Sequence, residues 1–201
     1  VVSKGIEHLM PWTGRTGTAL VTADAGIYGN KRCLVIEYVD LTTETLCGVE
    51  LIAPDGQKGT LGRKGVHLLP HYANPSAYVV VEGWATGVVT RFLLQTAGVN
   101  DVAVAVSGGC GMSEKIASQV SEWAGVPAYV IYEDDGNGVP TDCLSFPTTE
   151  QGNDPADWFT DPSACAEFLR QFDGLTASDP ESTRASIRTN YETLAIVEEA
   201  S

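Results

Sequence analysis

No two of the five cysteines (Cys33, Cys47, Cys110, Cys143, Cys165) form a CxxC pair, and their number is odd. That argues against a zinc ribbon and against a disulfide framework, and it suits a reducing compartment. No stretch approaches the ~20 consecutive apolar residues that span a bilayer, and no apolar signal region follows the start Val1-Val2-Ser3-Lys4. The expectation is a soluble, cytoplasmic protein. The chain starts on Val1 rather than Met, as a piece of a longer protein would. Basic residues are also scarce: 12 Lys and Arg stand against 26 Asp and Glu, a net charge of −14. A surface uniformly of that sign would repel a polyanion.

The charge is not uniform. Val1 to Tyr132 holds 9 basic and 11 acidic residues, whereas Glu133 to Ser201 holds 3 basic and 15 acidic. Between Asp55 and Glu82 there is no acidic residue at all, while Lys58, Arg63, Lys64, His67 and His71 all fall there. A cationic stretch thus survives inside an acidic chain. The 201 residues, 43% of them hydrophobic, suffice for one compact domain with a smaller lobe.

The first third reads as β-rich. "CLVIEYVD" (Cys33 to Asp40) and "LCGVELIAPDG" (Leu46 to Gly56), joined by the polar turn Leu41 to Thr45, predict an antiparallel hairpin. Asp55-Gly56 is the next turn signal, and "QKGTLGRKG" after it reads as a glycine-rich basic loop. Such a loop can approach an anion closely or can be a solvated surface segment.

From Ser76 onward the pattern alternates. Ala77 to Val81 is a continuous apolar run, the signature of a strand buried on both faces, and Asp101 to Val106 and Pro127 to Tyr132 read as a second and a third buried strand. "ATGVVTRFLLQTAG" between the first two has helical spacing and stops at Gly98. Ser113 to Gly125 predicts a second helix with Ile116, Val120 and Trp123 on one face and Ser113 as N-cap. The result is a βαβαβ unit with a parallel sheet, an α/β Rossmann-like core preceded by a β-rich lobe.

Ligands of such sheets bind at the carboxyl ends of the strands. Glu82-Gly83, Ser107 to Gly111, and Glu133-Asp134-Asp135-Gly136 stand there. If the first and third strands are neighbours, carboxylates converge and repel one another unless a cation neutralises them. All-oxygen donors favour Mg²⁺ or Mn²⁺. Asp134 to Gly138 would also serve as a solvated turn, and Glu82 could simply face a helix N-terminus. The two clusters on one βαβαβ unit favour a site.

Glu-Gly after a first strand and an acidic D-x-D cluster after a third resemble the Toprim domain of primases, topoisomerases and certain nucleases. The match is nearer to Toprim primases of phages and plasmids, in which a segment similar to "PDGQKGTLGRKG" precedes an "EG-ATG" motif, here Glu82 to Gly87. "GNDPADWF" (Gly152 to Phe159) is similar to the Asp-rich stretch that follows their sheet. The resemblance implies a division into an N-terminal lobe with its basic loop (1–75), a Toprim catalytic core (76–175) and a C-terminal helical tail or linker (176–201).

By the same resemblance Glu82, Glu133 and Asp135 would be catalytic, and Glu82, Glu133, Asp134 and Asp135 would form the metal site for Mg²⁺ or Mn²⁺. Lys58, Arg63, Lys64, Gly83, Ser107, Gly108 and Gly109 would contact nucleotide or template phosphate. The implied activity is primer synthesis on a single-stranded DNA template from nucleoside triphosphates, with a replicative helicase as a further partner. Two features depart from the family: Glu133 stands where Asp is usual, and "NGVPTDCLSFPT" follows directly where a helix is usual. A metal-dependent Toprim nuclease and a catalytically silent Toprim module that binds nucleic acid or a replisome protein are the alternatives.

In the tail, Ile187, Tyr191, Leu194 and Val197 mark a helix over Ser182 to Glu199. "DPSACAEFLRQF" predicts another, with Ser163 as N-cap. Trp158, Phe159, Phe168 and Phe172 read as core residues rather than base-stacking platforms.

Overall fold

The computed structural model describes residues 17–20, 32–70, 74–109, 111–133, 143–147, 149, 159 and 161–172. Four strands, β1 (Gly17–Leu20), β2 (Arg32–Asp40), β3 (Thr45–Ile52) and β4 (Lys58–Gly62), form an antiparallel sheet in sequential order. The predicted hairpin is β2 and β3, registered through Ile36↔Glu50 and Tyr38↔Gly48. The basic segment is not the loop its glycines suggested. Lys58 to Gly62 pairs with β3 as an edge strand, because its backbone groups complete the ladder while Lys58, Leu61 and Gly62 stay exposed.

The second sheet contains β5 (His67–Leu68), β6 (Ala77–Val81), β7 (Val102–Val106), β8 (Ala128–Tyr132) and β9 (Leu144–Ser145), in the order β5-β7-β6-β8-β9. Only β5 is antiparallel to its neighbour. Helices α1 (Trp84–Thr96) and α2 (Ser113–Ala124) connect β6 to β7 and β7 to β8, and α3 (Pro162–Arg170) follows β9. No helix among the described residues is long and apolar enough to cross a membrane.

Strand periodicity divides the core into two layers. Val79, Val81, Val104 and Val106 face α1 and α3, packing with Val88, Leu93 and Phe168. Tyr78, Val80, Ala103 and Ala105 face α2, packing with Ile116 and Val120. All five residues of β6 and of β7 are buried, and each valine so buried is worth about 1.5–3 kcal/mol of transfer free energy. Phe168 lies between Phe146 and Phe172, at centroid distances of 5.2 and 5.1 Å, so it and Phe172 are core as expected.

Several local expectations are corrected. β8 is not buried throughout: Ile131 is in the core, but Tyr129 on the same face stays exposed and Ala128, Val130 and Tyr132 are half-buried. Trp123 does not join Ile116 and Val120 in the core. It is 41% exposed, donates to Glu44 Oε1 at 3.0 Å and meets Tyr78 edge-on. Ser113 is the first helical residue rather than the cap, and its hydroxyl is engaged with Ser107 at 2.9 Å. In α3 the cap is Asp161, whose carboxylate accepts from the Ser163 and Ala164 amides, with Pro162 opening the helix. Gly98, with φ of 80°, ends α1 as predicted. The helix over Ser182 to Glu199 and residues 152–158 of the Asp-rich stretch lie outside the described residues.

The two sheets are joined by the segment between them. Val66 exchanges both backbone hydrogen bonds with Val39, at 2.8 and 3.0 Å, and Leu69 donates to Val104 O at 3.0 Å. The buried His67 reaches the Glu37 carbonyl through Nδ1 at 2.9 Å. β4 and the residues after it are thereby held against the parallel sheet.

Candidate active site

The carboxyl ends of β6, β7 and β8 lie side by side, with β6 in the middle. The first and third strands of the βαβαβ unit are therefore neighbours, paired through Val80↔Val130. That arrangement brings Glu82, directly after β6, and Glu133, directly after β8, to the same edge. Thr86, in the first turn of α1 and almost fully buried, has its hydroxyl 3.5 Å from Glu133 Oε1. Gly83 precedes α1 in extended conformation and offers no side-chain cap, which leaves the first amides of that helix facing the strand ends.

The glycine turn after β7 closes the other side. Ser107 N donates to Val81 O at 2.9 Å and Gly108 N to Glu82 O at 3.0 Å, so the turn is fixed to the backbone of Glu82 itself. Gly108 has φ of 73°, and a Cβ there would lie 2.2 Å from the hydroxyl oxygen of Tyr38. Both the backbone conformation and the ring beneath it require glycine.

The three cations of the basic segment go to different places. The Lys64 ammonium donates to the Gly108 carbonyl and is 3.0 Å from where a Cβ of Gly109 would stand, so it sits at the strand ends. Arg63 is paired instead with Asp40, and its guanidinium holds that carboxyl below the usual carboxylate range. This pair is exposed and adds little to stability. It lines a groove of about 230 Å³ between β2, the residues after β4, and α2, which also contains Lys115. Lys58 opens β4 opposite Ile52.

Glu50 is a buried carboxylate of β3. It shares the inner face of the sheet with Tyr38, two positions along the β2–β3 register. Burial raises its pKa above the ordinary carboxylate value, while Lys58 and Lys64 pull it down. The same burial, with the charge of Glu50 nearby, raises the Tyr38 phenol. An acid whose folded-state pKa is raised contributes stability that is full below its unfolded pKa, about 4.3 for Glu, and lost as pH rises through the folded-state value. Glu50→Gln is thus expected to raise the melting temperature at pH 7 and leave it unchanged below about pH 4. An equal shift at both pH values would refute this reading of Glu50.

Among the described residues no group of three or more carboxylates, histidines or cysteines converges as a ready metal cage, and Asp134 and Asp135 lie outside those residues. Glu82 and Glu133 supply oxygen donors from neighbouring strand ends, a donor chemistry that fits a hard divalent cation. Sequence reasoning named Glu82, Glu133, Lys64 and the glycine turn but missed Thr86, Tyr38 and Glu50. Thr86 was legible in principle, as a hydroxyl within "EGWATG". Tyr38 lies far from the motifs in sequence and reaches the glycine turn only through the packing of one sheet on the other, and Glu50 shares its face of the sheet.

A small antiparallel sheet followed by a mixed, mostly parallel sheet with flanking helices makes this an α/β fold. Two solved structures from bacteriophage T7 share it. One contains the primase domains of two gp4 subunits, bound to an RNA/DNA hybrid and dTTP and interacting with the lagging-strand DNA polymerase. It matches with a TM-score of 0.52 and 16% identity over 85% of this chain and 73% of that one. The other is the primase fragment of the T7 primase-helicase protein, with a TM-score of 0.51 and 13% identity over 84% and 68% of the two chains. These likenesses bear out the expected fold. No protein-family model matches the sequence, and no curated protein matches it.

Proposed function

We propose that the chain is a Toprim primase-like nucleotidyltransferase that synthesises primers on single-stranded DNA from nucleoside triphosphates with Mg²⁺ or Mn²⁺. The observation that carries this reading is that Glu82 and Glu133 directly follow neighbouring parallel strands, beside a glycine turn whose Gly108 carbonyl accepts from Lys64. The fold shared with the T7 primase domains, which bind an RNA/DNA hybrid and dTTP, supports the same substrate class.

In this reading the 3′-oxygen of one nucleotide attacks the α-phosphorus of the next. The bond from that phosphorus to its bridging oxygen breaks, and pyrophosphate leaves. Glu82 takes the proton of the attacking hydroxyl. Lys64 and the amides of Gly83 and Gly109 bind phosphate oxygens beside a turn that Ser107 and Gly108 fix through their own amides, and Lys58 and Arg63 draw template or triphosphate from further out. Glu133, Asp135, Asp134 and Glu82 would hold the divalent ion, which neutralises charge on the phosphates when bound. A replicative helicase is the further partner, and 1–75, 76–175 and 176–201 are the lobe, catalytic core and tail.

Incubation with single-stranded DNA, nucleoside triphosphates and Mg²⁺ or Mn²⁺ tests the proposal. Short oligonucleotides are expected whose formation needs both template and triphosphates. Shortening of the DNA without triphosphates would point to a nuclease, and neither product would point to a binding module.

A further inference from the structure

The backbone ladder between the two strands that precede the carboxylates stops short of them. β6 and β8 pair through Tyr78↔Ala128, Val79↔Tyr129 and Val80↔Val130, whereas Val81 is matched with Val106 of β7 and the Glu82 carbonyl accepts from the Gly108 amide. Glu82 is thus tied to the β7 side, and Glu133 follows a strand end that runs on past its last pairing with β6. Ladder pairing alone therefore does not set the spacing of the two carboxylates. On its other side that strand end is held by β9, through Phe146 N donating to Tyr132 O at 3.0 Å.

Side chains from the first turn of α2 reach both strand ends. Ser113 and Glu114 are successive residues there, and each is hydrogen-bonded to a different strand. The Ser113 hydroxyl shares a hydrogen bond of 2.9 Å with the fully buried Ser107, directly after β7. Glu114 Oε1 accepts from the Tyr132 hydroxyl at 3.0 Å, and Tyr132 is the last residue of β8. Successive residues of a strand point to opposite faces, so Tyr132 turns to α2 while Glu133 turns to α1, where the Thr86 hydroxyl lies 3.5 Å from its Oε1. Ile116, Ala117 and Val120 hold α2 to the sheet. Its first turn is then a brace between the β7 side, to which Glu82 is tied, and the β8 end that carries Glu133.

We infer that Glu114 is a positioning residue for Glu133: by holding the Tyr132 phenol it fixes the end of β8, and with it the spacing of Glu133 from Glu82 that binding of a divalent cation requires. Glu114 is no ligand in this scheme; it acts through Tyr132. The inference rests on the reading of Glu82 and Glu133 as oxygen donors to Mg²⁺ or Mn²⁺. Removing a group that orients a metal ligand typically costs about 10- to 100-fold in metal affinity. The Glu114–Tyr132 bond is exposed, so a loss at or below the lower end, roughly 3- to 10-fold, is expected.

The test is Mn²⁺ binding to the full chain by titration calorimetry, with wild type, Tyr132→Phe, Glu114→Ala, their double variant, Glu114→Gln and Glu133→Gln. Tyr132→Phe and Glu114→Ala are each expected to show that loss, with the double variant no weaker than the weaker single. Glu114→Gln should bind nearly as wild type, because its amide oxygen still accepts from the phenol. Unchanged binding in Tyr132→Phe overturns the inference, as does an additive loss in the double variant. Glu114→Gln as weak as Glu114→Ala also overturns it, since the bare charge of Glu114 would then be the cause. If wild type binds no Mn²⁺, or Glu133→Gln binds it as well as wild type, the metal reading falls and the inference with it; a weakened Glu133→Gln beside an unaffected Tyr132→Phe sinks the inference alone. Tyr132→Phe removes one oxygen and keeps the ring, so matched circular dichroism at the titration temperature separates loss of binding from loss of folding.

Discussion

Gly108→Ala is expected to lower stability by about 3 kcal/mol, through two independent penalties. The left-handed backbone at φ of 73° costs a residue with a Cβ about 1–2 kcal/mol. The new methyl group would also stand 2.2 Å from the Tyr38 hydroxyl oxygen and 2.5 Å from Cζ, and forced overpacking of this kind costs about 1–3 kcal/mol. For a domain of this size each kcal/mol moves the melting point by roughly 2–4 °C, so a fall of about 6–12 °C is the expected reading. Tyr38→Leu in the same chain should return part of the loss by removing the ring, though not the share due to φ. Full additivity of the two substitutions would show that the ring does not set the turn.

Gly87→Val is expected to damage activity more than stability. Gly87 lies on the buried face of α1, where a Cβ would come within 2.7 Å of Val106 Cγ2, 3.3 Å of Val81 Cγ2 and 3.4 Å of Leu69 Cδ1. The helix can sit this close to the sheet only because that position has no side chain. Valine there forces α1 outward, at a cost of about 1–3 kcal/mol. Thr86, the preceding residue, moves with it and loses its place beside Glu133. A displacement of about 1 Å near reacting groups can cost 10²-fold in rate, so the variant should lose roughly that much primer synthesis at temperatures where circular dichroism still reports a folded chain. Gly87→Ala is the milder control, since about 1 kcal/mol of helix propensity offsets part of its contact. Parallel losses of stability and activity in both variants would mean that α1 does not position the site.

Much of this arrangement was legible in the sequence, for reasons that differ from element to element. β6 and β7 were readable because continuous valine-rich runs have one common outcome, a strand covered on both faces. Glu82 stood out for the same reason: a carboxylate directly after such a run needs an explanation. β8 was readable as a strand but not as a half-exposed one, since apolar residues also occur on open faces. The edge strand β4 was hidden because glycine and lysine favour turns in isolation, and only the ladder offered by β3 overrides them. Strand order, which decides whether Glu82 and Glu133 meet, is a property of the whole sheet. The placing of Tyr38 and Lys64 against Gly108 was the least accessible, because it forms only when Val39 and Val66 pair and bring one sheet onto the other.

The central claim is that Glu82 performs chemistry at the strand ends rather than merely ending a strand. Comparing primer synthesis by wild type and Glu82→Gln, on single-stranded DNA with Mg²⁺ or Mn²⁺ and with matched circular dichroism spectra, tests it most directly. The account predicts a loss of at least about 10²-fold, the lower range for removal of a general base. Equal product from the two proteins would contradict it.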